Sequence, residues 1–233
     1  MIICMGKDVK ASAIIVAAGR GTRMGGIDKL FIKVADLPII AHTVLKFECC
    51  SRINETIIVI RQGQEPVYTE LLNKLNLKKH CKLTIGGQAR QDSVWNGLNA
   101  ASGKIVAIHD GARPCVPVDL IEKVIDAAIE YGAAVAAKKM IDTVKESDDD
   151  VHISRNMDRS KLWTVQTPQC FNRDVISKAI QTAKSKNLEL TDDTAACELI
   201  GQPVRLVEYK EPNPKLTISS DLPYIEFLLK KQS

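Results

Sequence analysis

Ala13-Ile14-Ile15-Val16-Ala17-Ala18-Gly19-Arg20-Gly21-Thr22-Arg23-Met24-Gly25-Gly26 is the stretch on which the fold turns. Its apolar start, β-branched at the centre and without a polar interruption, reads as a strand over Ala13–Ala17 buried on both faces. The glycines behind it let backbone approach a ligand and turn several N–H groups toward one point, which suits phosphate. In an open α/β sheet such a loop lies beyond the carboxyl end of its strand, where ligands bind.

Further strand signals recur outward from this stretch, at Thr56–Ile60, Lys82–Ile85, Lys104–Ile108, Ala133–Ala137 and Val204–Glu208. Amphipathic helical patterns fill the spaces, at Ile39–Cys50, Pro66–Leu77, Asp92–Ala101, Val118–Tyr131, Arg173–Lys186 and Asp193–Ile200, with a last helix over Asp221–Lys230. Strand and helix in alternation predict an α/β chain with one Rossmann-like, doubly wound, mostly parallel sheet. The segment from about 138 to 163 breaks the rhythm. Its Lys-Glu-Ser-Asp-Asp-Asp run and the alternating Val151–Ile153 predict a projecting β-arm, a hairpin turning at Ser147–Asp150. No linker or repeat divides residues 1–233, so a single domain carrying this arm is expected.

The chain has 233 residues, 45% of them hydrophobic and 26% charged, and a net charge of +4. A charge this small and dispersed suits an anionic small molecule and argues against nucleic acid. No run approaches the length of a membrane helix, and the N-terminus lacks the pattern of a secretory signal. The 7 cysteines form no C-x-x-C pair and an odd count gives no disulfide framework. Those in apolar runs (Cys49, Cys50, Cys197) read as buried reduced thiols, which implies a cytoplasmic setting. Cys115, close to Arg113, would have a lowered pKa if it were exposed.

The glycine loop is neither of two familiar phosphate motifs. A dinucleotide fingerprint counted from Gly19 meets Met24 where its third glycine belongs, which disfavours a dehydrogenase. A P-loop counted from Gly21 to Gly26 meets Ile27 where its lysine belongs. What remains is a glycine turn carrying Arg23, followed by Lys29. Two cations beside a phosphate cradle suit the charge that builds up in phosphoryl or nucleotidyl transfer.

Other segments join this one. They are Gly86-Gly87-Gln88-Ala89-Arg90-Gln91-Asp92-Ser93, His109-Asp110-Gly111-Ala112-Arg113-Pro114, Thr167-Pro168-Gln169, Thr191-Asp192-Asp193 and Asn213-Pro214-Lys215-Leu216-Thr217. In this order and spacing the set resembles the 2-C-methyl-D-erythritol 4-phosphate cytidylyltransferases of the non-mevalonate isoprenoid pathway, across residues 12 to about 230. The resemblance implies transfer of CMP from CTP to a small polyol phosphate, with release of pyrophosphate and with Mg²⁺. By the same resemblance Arg23, Lys29, Arg159 and Lys215 are the catalytic cations. Ala17, Ala18, Gly19, Gly21, Gly87, Gln88, Arg90, Ser93, Asp110 and Gly111 surround CTP, and Asp110 faces either the ribose or the metal. Arg113, Asp142, Thr143, Thr167 and Thr191 attend the polyol end. The arm is implied to cross to a second copy in a homodimer, so that Thr143 and Arg159 complete the neighbouring site.

Simpler readings accompany some of these residues. Asp110 could cap a turn, Thr191 could be a helix N-cap, His109 reads as structural and Trp95 as packing. The entry to the arm, Lys138-Lys139-Met140-Ile141-Asp142-Thr143, lacks the proline and the basic residue usual in the family, and Pro212 stands near Asn213 where the family often has Asp. Both departures lie at the polyol end, which makes a ribitol 5-phosphate cytidylyltransferase the neighbouring alternative. A nucleotide-binding module without catalysis is the alternative from another class, and transition-state cations argue against it.

Overall fold

The computed structural model describes residues 9–19 and 28–232. In chain order the elements are β1 (Ala11–Val16), β2 (Lys33–Val34), β3 (Leu37–Pro38), α1 (Ile39–Cys49), β4 (Ile53–Ile60), α2 (Glu65–Leu75), β5 (His80–Ile85), α3 (Arg90–Ala100) and β6 (Ile105–Asp110). They continue with α4 (Val118–Tyr131), β7 (Ala133–Lys139), β8 (Lys145–Glu146), β9 (Arg155–Asn156), β10 (Trp163–Asn172), α5 (Arg173–Ser185), α6 (Asp193–Glu198), β11 (Arg205–Glu208) and α7 (Leu222–Gln232). Lys29–Phe31 and Arg159–Lys161 are single 3-10 turns.

A 7-stranded sheet in the order β11-β7-β10-β6-β1-β4-β5 forms the middle layer. All its pairings are parallel except those of β10, which runs against both β6 and β7. Successive residues of the inner strands serve opposite faces. Ala13, Ile15, Ile58 and Ile60 meet α1, α4 and α7 on one side, while Ile14, Ile57 and Val59 meet α3, α5 and α6 on the other. That two-sided burial is why these strands are apolar throughout.

The strand over Trp163–Asn172 is a correction to the sequence reading, which ended the arm at residue 163 and placed no strand there. Gln166, Pro168 and Gln169 interrupt its apolar pattern, and Pro168 has no N–H to give to a ladder. The ladder to β7 shifts register between Val165 and Gln169, so Gln166–Pro168 leave the pleat and Thr167 is re-aimed. The arm is present as expected, but its turn is wider. Its paired strands are only β8 and β9, and Val151–Ile153 lies in their connection rather than in a strand. There Asp149 organises the loop by accepting the N–H groups of Val151 (3.0 Å) and His152 (2.7 Å).

Candidate active site

The carboxyl ends of β1, β4, β5 and β6 lie side by side, and each delivers part of two neighbouring clefts. The first, about 450 Å³, is walled by Ala18, Arg61, Gln62, Ile85, Gly86, Gly87 and Gln88. Gly86 has to be glycine. A Cβ there would stand 2.5 Å from the Ala18 Cβ and 2.7 Å from the Ser93 hydroxyl. Ser93 is itself buried and shapes the loop, accepting the Gly87 N–H (3.2 Å) and donating to the Ala89 carbonyl (3.3 Å). Asn96, one turn along α3, ties the Ile85 carbonyl to the same helix (2.9 Å).

The second cleft, about 190 Å³, is bounded by Arg90, Asp110, Arg113, Thr167, Thr191 and Lys215 among others. Asp110 is its electrostatic centre. Lys215 Nζ lies 2.9 Å and Arg113 Nε 3.3 Å from one carboxylate oxygen, and Arg90 Nε lies 3.8 Å from the other. Burial alone would push this carboxyl up, but Lys215, Arg90 and Arg113 overrule it and hold it far below the usual carboxylate range. Arg90 is also clamped at both ends of its fork by Asp193 (2.9 and 2.8 Å), and this pair keeps the guanidinium charged despite its burial. Arg90, expected among the residues around CTP, lines the second cleft rather than the first.

Below Asp110 runs a buried hydrogen-bond chain. Its backbone N–H donates to Thr167 Oγ1 (3.1 Å), which leaves the Thr167 hydroxyl proton for His109 Nδ1 (3.0 Å). The remaining proton of the ring sits on Nε2, facing the Arg113 carbonyl (3.2 Å). Complete burial pushes His109 down to about 4, so it is neutral at pH 7 and serves as a structural strut. Thr167 has both hydrogen-bonding functions engaged here, so its hydroxyl orients Asp110.

Lys215, the last of the cations expected to be catalytic, arrives on a strap, residues 209–218, that crosses the sheet edge. Tyr209 N–H donates to the Ala137 carbonyl (3.2 Å), Asn213 Nδ2 to the Thr167 carbonyl (2.8 Å), and Leu216 N–H to the Ala112 carbonyl (2.8 Å). Arg113 returns a bond to the Asn213 carbonyl (2.8 Å). Lys29 Nζ then donates to the Leu216 carbonyl at 2.7 Å, which sets it next to Lys215. Gly111 lets the loop after β6 close against β1 and α1, since a Cβ there would press to 3.0 Å on Ile40 and 3.2 Å on the Val16 carbonyl.

Among the sequence-predicted residues, Gly21 and Arg23 lie outside the described residues. Ala17 and Gly19 flank Ala18 just beyond β1. Asp142, Thr143 and Arg159 line neither cleft of their own chain. Arg159 is tied to the base of the arm by a bond to the Ile141 carbonyl (2.7 Å), beside Asp142 and Thr143. Thr191 lines the second cleft, but the N-cap of α6 is Asp192, which accepts the Ala195 N–H (2.9 Å). Cys115 is fully buried, so the condition for a lowered pKa is not met, and desolvation pushes its thiol up to about 11. Cys49 is exposed rather than buried, because it points away from the core on α1.

Sequence reasoning passed over Arg61, Gln169, Asp193 and Asn213. Gln169 is buried and bridges Asp192 Oδ2 (3.0 Å) and the Asp193 N–H (3.2 Å), anchoring α6 against the site. Its place in Thr167-Pro168-Gln169 was a usable signal. Arg61 had none, since a basic residue after a strand is ordinary.

Residues 11–231 match the family of 2-C-methyl-D-erythritol 4-phosphate cytidylyltransferases. A relative of that name from Geobacillus kaustophilus is 40% identical over 219 residues, 93% of this chain and 96% of its own length. Another from Desulforamulus reducens is 41% identical over 225 residues, 95% of this chain and 96% of its own. The crystal structure of 4-diphosphocytidyl-2C-methyl-D-erythritol synthase from Anaerococcus prevotii superposes with a TM-score of 0.85 at 29% identity, covering 96% of this chain and 97% of that one. The 2-C-methyl-D-erythritol 4-phosphate cytidylyltransferase of Thermus thermophilus gives 0.79 at 31% identity, covering 95% and 99%.

Proposed function

The chain belongs to the 2-C-methyl-D-erythritol 4-phosphate cytidylyltransferase family, and we propose that the cations gathered around Asp110 are where its two anionic substrates are brought to react. It is a nucleotidyltransferase that moves CMP from CTP to 2-C-methyl-D-erythritol 4-phosphate in isoprenoid precursor synthesis. An oxygen of the polyol phosphate attacks the α-phosphorus of CTP. The bond from that phosphorus to the bridging oxygen breaks, and pyrophosphate leaves with the electron pair. The attacking monoester is already anionic near neutral pH, so no general base is required. The obstacle is repulsion between two polyanions and charge on the crowded α-phosphate, and fixed cations answer both.

The observation that carries this reading is the bond from Lys29 to the carbonyl of Leu216, the residue after Lys215, together with Asp110 between Lys215, Arg113 and Arg90. The first cleft, with backbone at Ala18 and Gly87 and the amide of Gln88, suits the nucleotide. The second, with Arg113, Thr191 and Lys215, suits the polyol phosphate. Arg23 would act from the glycine loop.

Among the described residues no group of three or more His, Cys, Asp or Glu is placed to hold a metal ion. Asp110 and Asp192 are the carboxylates among the residues that line the second cleft, but Asp192 is engaged by Gln169, Thr194 and the Ala195 N–H, and the cation partners of Asp110 leave no acidic cage. That donor set fits a Mg²⁺ ion carried on the triphosphate, with Asp110 as the protein group that would reach it. When bound, magnesium neutralises phosphate charge. No described helix is long and apolar enough to cross a membrane, and the described cysteines are free thiols, which supports a cytoplasmic setting. The arm supports a homodimer. None of its residues is buried, yet Ile141, Val151 and Ile153 stand out into solvent.

Pyrophosphate release with CTP and Mg²⁺, compared between 2-C-methyl-D-erythritol 4-phosphate and ribitol 5-phosphate, tests the assignment. Turnover with the first is expected. Turnover with ribitol 5-phosphate alone would overturn the polyol assignment.

A further inference from the structure

Asp28 immediately precedes Lys29, and both of its carboxylate oxygens are engaged. Oδ1 accepts the Leu30 N–H (3.2 Å) and so caps the short turn Lys29–Phe31. Oδ2 accepts from Arg61 Nη2 (2.5 Å) and Gln64 Nε2 (2.7 Å). Arg61 Nε also donates to Gln64 Oε1 (3.3 Å), which closes a three-residue ring. Arg61 and Gln64 occupy the connection from β4 to α2, and Arg61 walls the nucleotide cleft. The same turn is gripped from a second side, where Phe31 meets the buried Tyr68 of α2 edge-on at 5.0 Å, and Leu30 is buried in the core.

The ion pair is half in solvent, with side-chain exposures of 33% for Arg61 and 24% for Asp28. A pair so placed adds little to folding. Its organisation does bear on where Lys29 begins. A lysine side chain is a flexible four-carbon stem, so the aim of its ammonium depends on how firmly its backbone is held. Within itself the turn has the single backbone bond from the Phe31 N–H to the Asp28 carbonyl (2.9 Å), so side chains outside it contribute much of its hold.

We propose that Asp28, Arg61 and Gln64 are positioning residues for nucleotidyl transfer, fixing the turn from which Lys29 reaches the triphosphate. This rests on the reading of Lys29 as a catalytic cation. The ring touches no reacting atom. It acts through Lys29, and it couples the β4–α2 connection of the nucleotide cleft to the cation that also contacts the Lys215 strap.

The test is steady-state pyrophosphate release by the full chain, comparing wild type with D28N, R61A, R61K, the double variant D28N/R61A and, as control, K29A. D28N and R61A are each expected to lower kcat roughly tenfold, with KM for CTP within about twofold of wild type, because misplacing a catalytic group costs rate rather than binding. The double variant should be no worse than the poorer single one, as residues acting as one unit are non-additive. R61K should recover part of the loss, and thermal midpoints should match wild type. If R61A melts early, R61K and D28N decide in its place. Wild-type kcat in D28N and R61A while K29A is inactive would overturn the positioning role alone. A raised KM for CTP in R61A, with D28N silent, would make Arg61 a plain nucleotide contact and would also overturn it. Full activity in K29A would overturn the reading of Lys29 and this proposal with it.

Discussion

Asp110 shows how much one residue can carry. It ends a buried strand, its carboxylate faces Lys215, Arg113 and Arg90, and its N–H is held by Thr167, which is held in turn by a neutral His109. Its charge sets the spacing of Lys215, Arg113 and Arg90, the cations proposed to meet the substrates. Asp110→Asn should therefore lower turnover roughly a hundredfold, the usual cost of removing one element of a preorganised charge array. Turnover within twofold of wild type, read by pyrophosphate release, would sink that role. The residue was conspicuous in His109-Asp110-Gly111, but which partner it faces was not. The alternatives of ribose, metal and turn cap stood open in the sequence because its three cations come from α3, the loop after β6 and the strap.

The sheet is joined at its opposite edge by another buried carboxylate. Glu55 of β4, 4% exposed, accepts from Ser12 Oγ of β1 (2.6 Å) and from Ser102 N and Oγ (2.7 and 2.6 Å), and pairs with Lys82 of β5 (3.1 Å). Burial raises its carboxyl, but the Ser102 and Ser12 bonds together bring it down from 4.5 to about 2. A lowered pKa means the contribution is complete above about 4.5 and is lost as pH falls through about 2. Glu55→Gln should cost on the order of 3 kcal/mol at pH 7, and the gap to wild type should narrow in acid. Urea unfolding at pH 7 and pH 3 checks it, and no difference at pH 7 would refute it. Element legibility followed burial. α4 begins and ends where its apolar periodicity says, whereas β10 escaped because its place between β6 and β7 compensates for a pattern that polar residues and Pro168 break.

On the scale of the whole molecule the unresolved demand is the arm. β7 and β10 run out together to the Lys139–Trp163 pair, and beyond it no residue is buried while Ile141 is 82% exposed. Arg159, Asp142 and Thr143 sit together out there, away from both clefts of their own chain. In the proposed dimer they complete the partner's site, so K29A and R159A proteins should each be inactive alone. Mixed and allowed to exchange subunits, they should regain about a quarter of wild-type activity, because half the dimers would be hybrids with one intact site of two. No recovery, with exchange verified by mass spectrometry, would count against a shared site.

By itself the sequence determined the layers, the strand that leads into the glycine loop, and the residue types from which the site is made. These follow from local rules: burial on both faces requires unbroken apolar strands, a helix between layers requires one apolar side, and close backbone approach requires glycine. Only the tertiary structure decided which of those residues meet. Lys29 and Leu216 lie 187 positions apart and Arg90 and Asp193 lie 103 apart, and nothing local to either sets the pairing. The order of strands in the sheet sets it, because edges pair by complementarity along the whole strand. The charges at the carboxyl ends then sort among the neighbours that this order supplies.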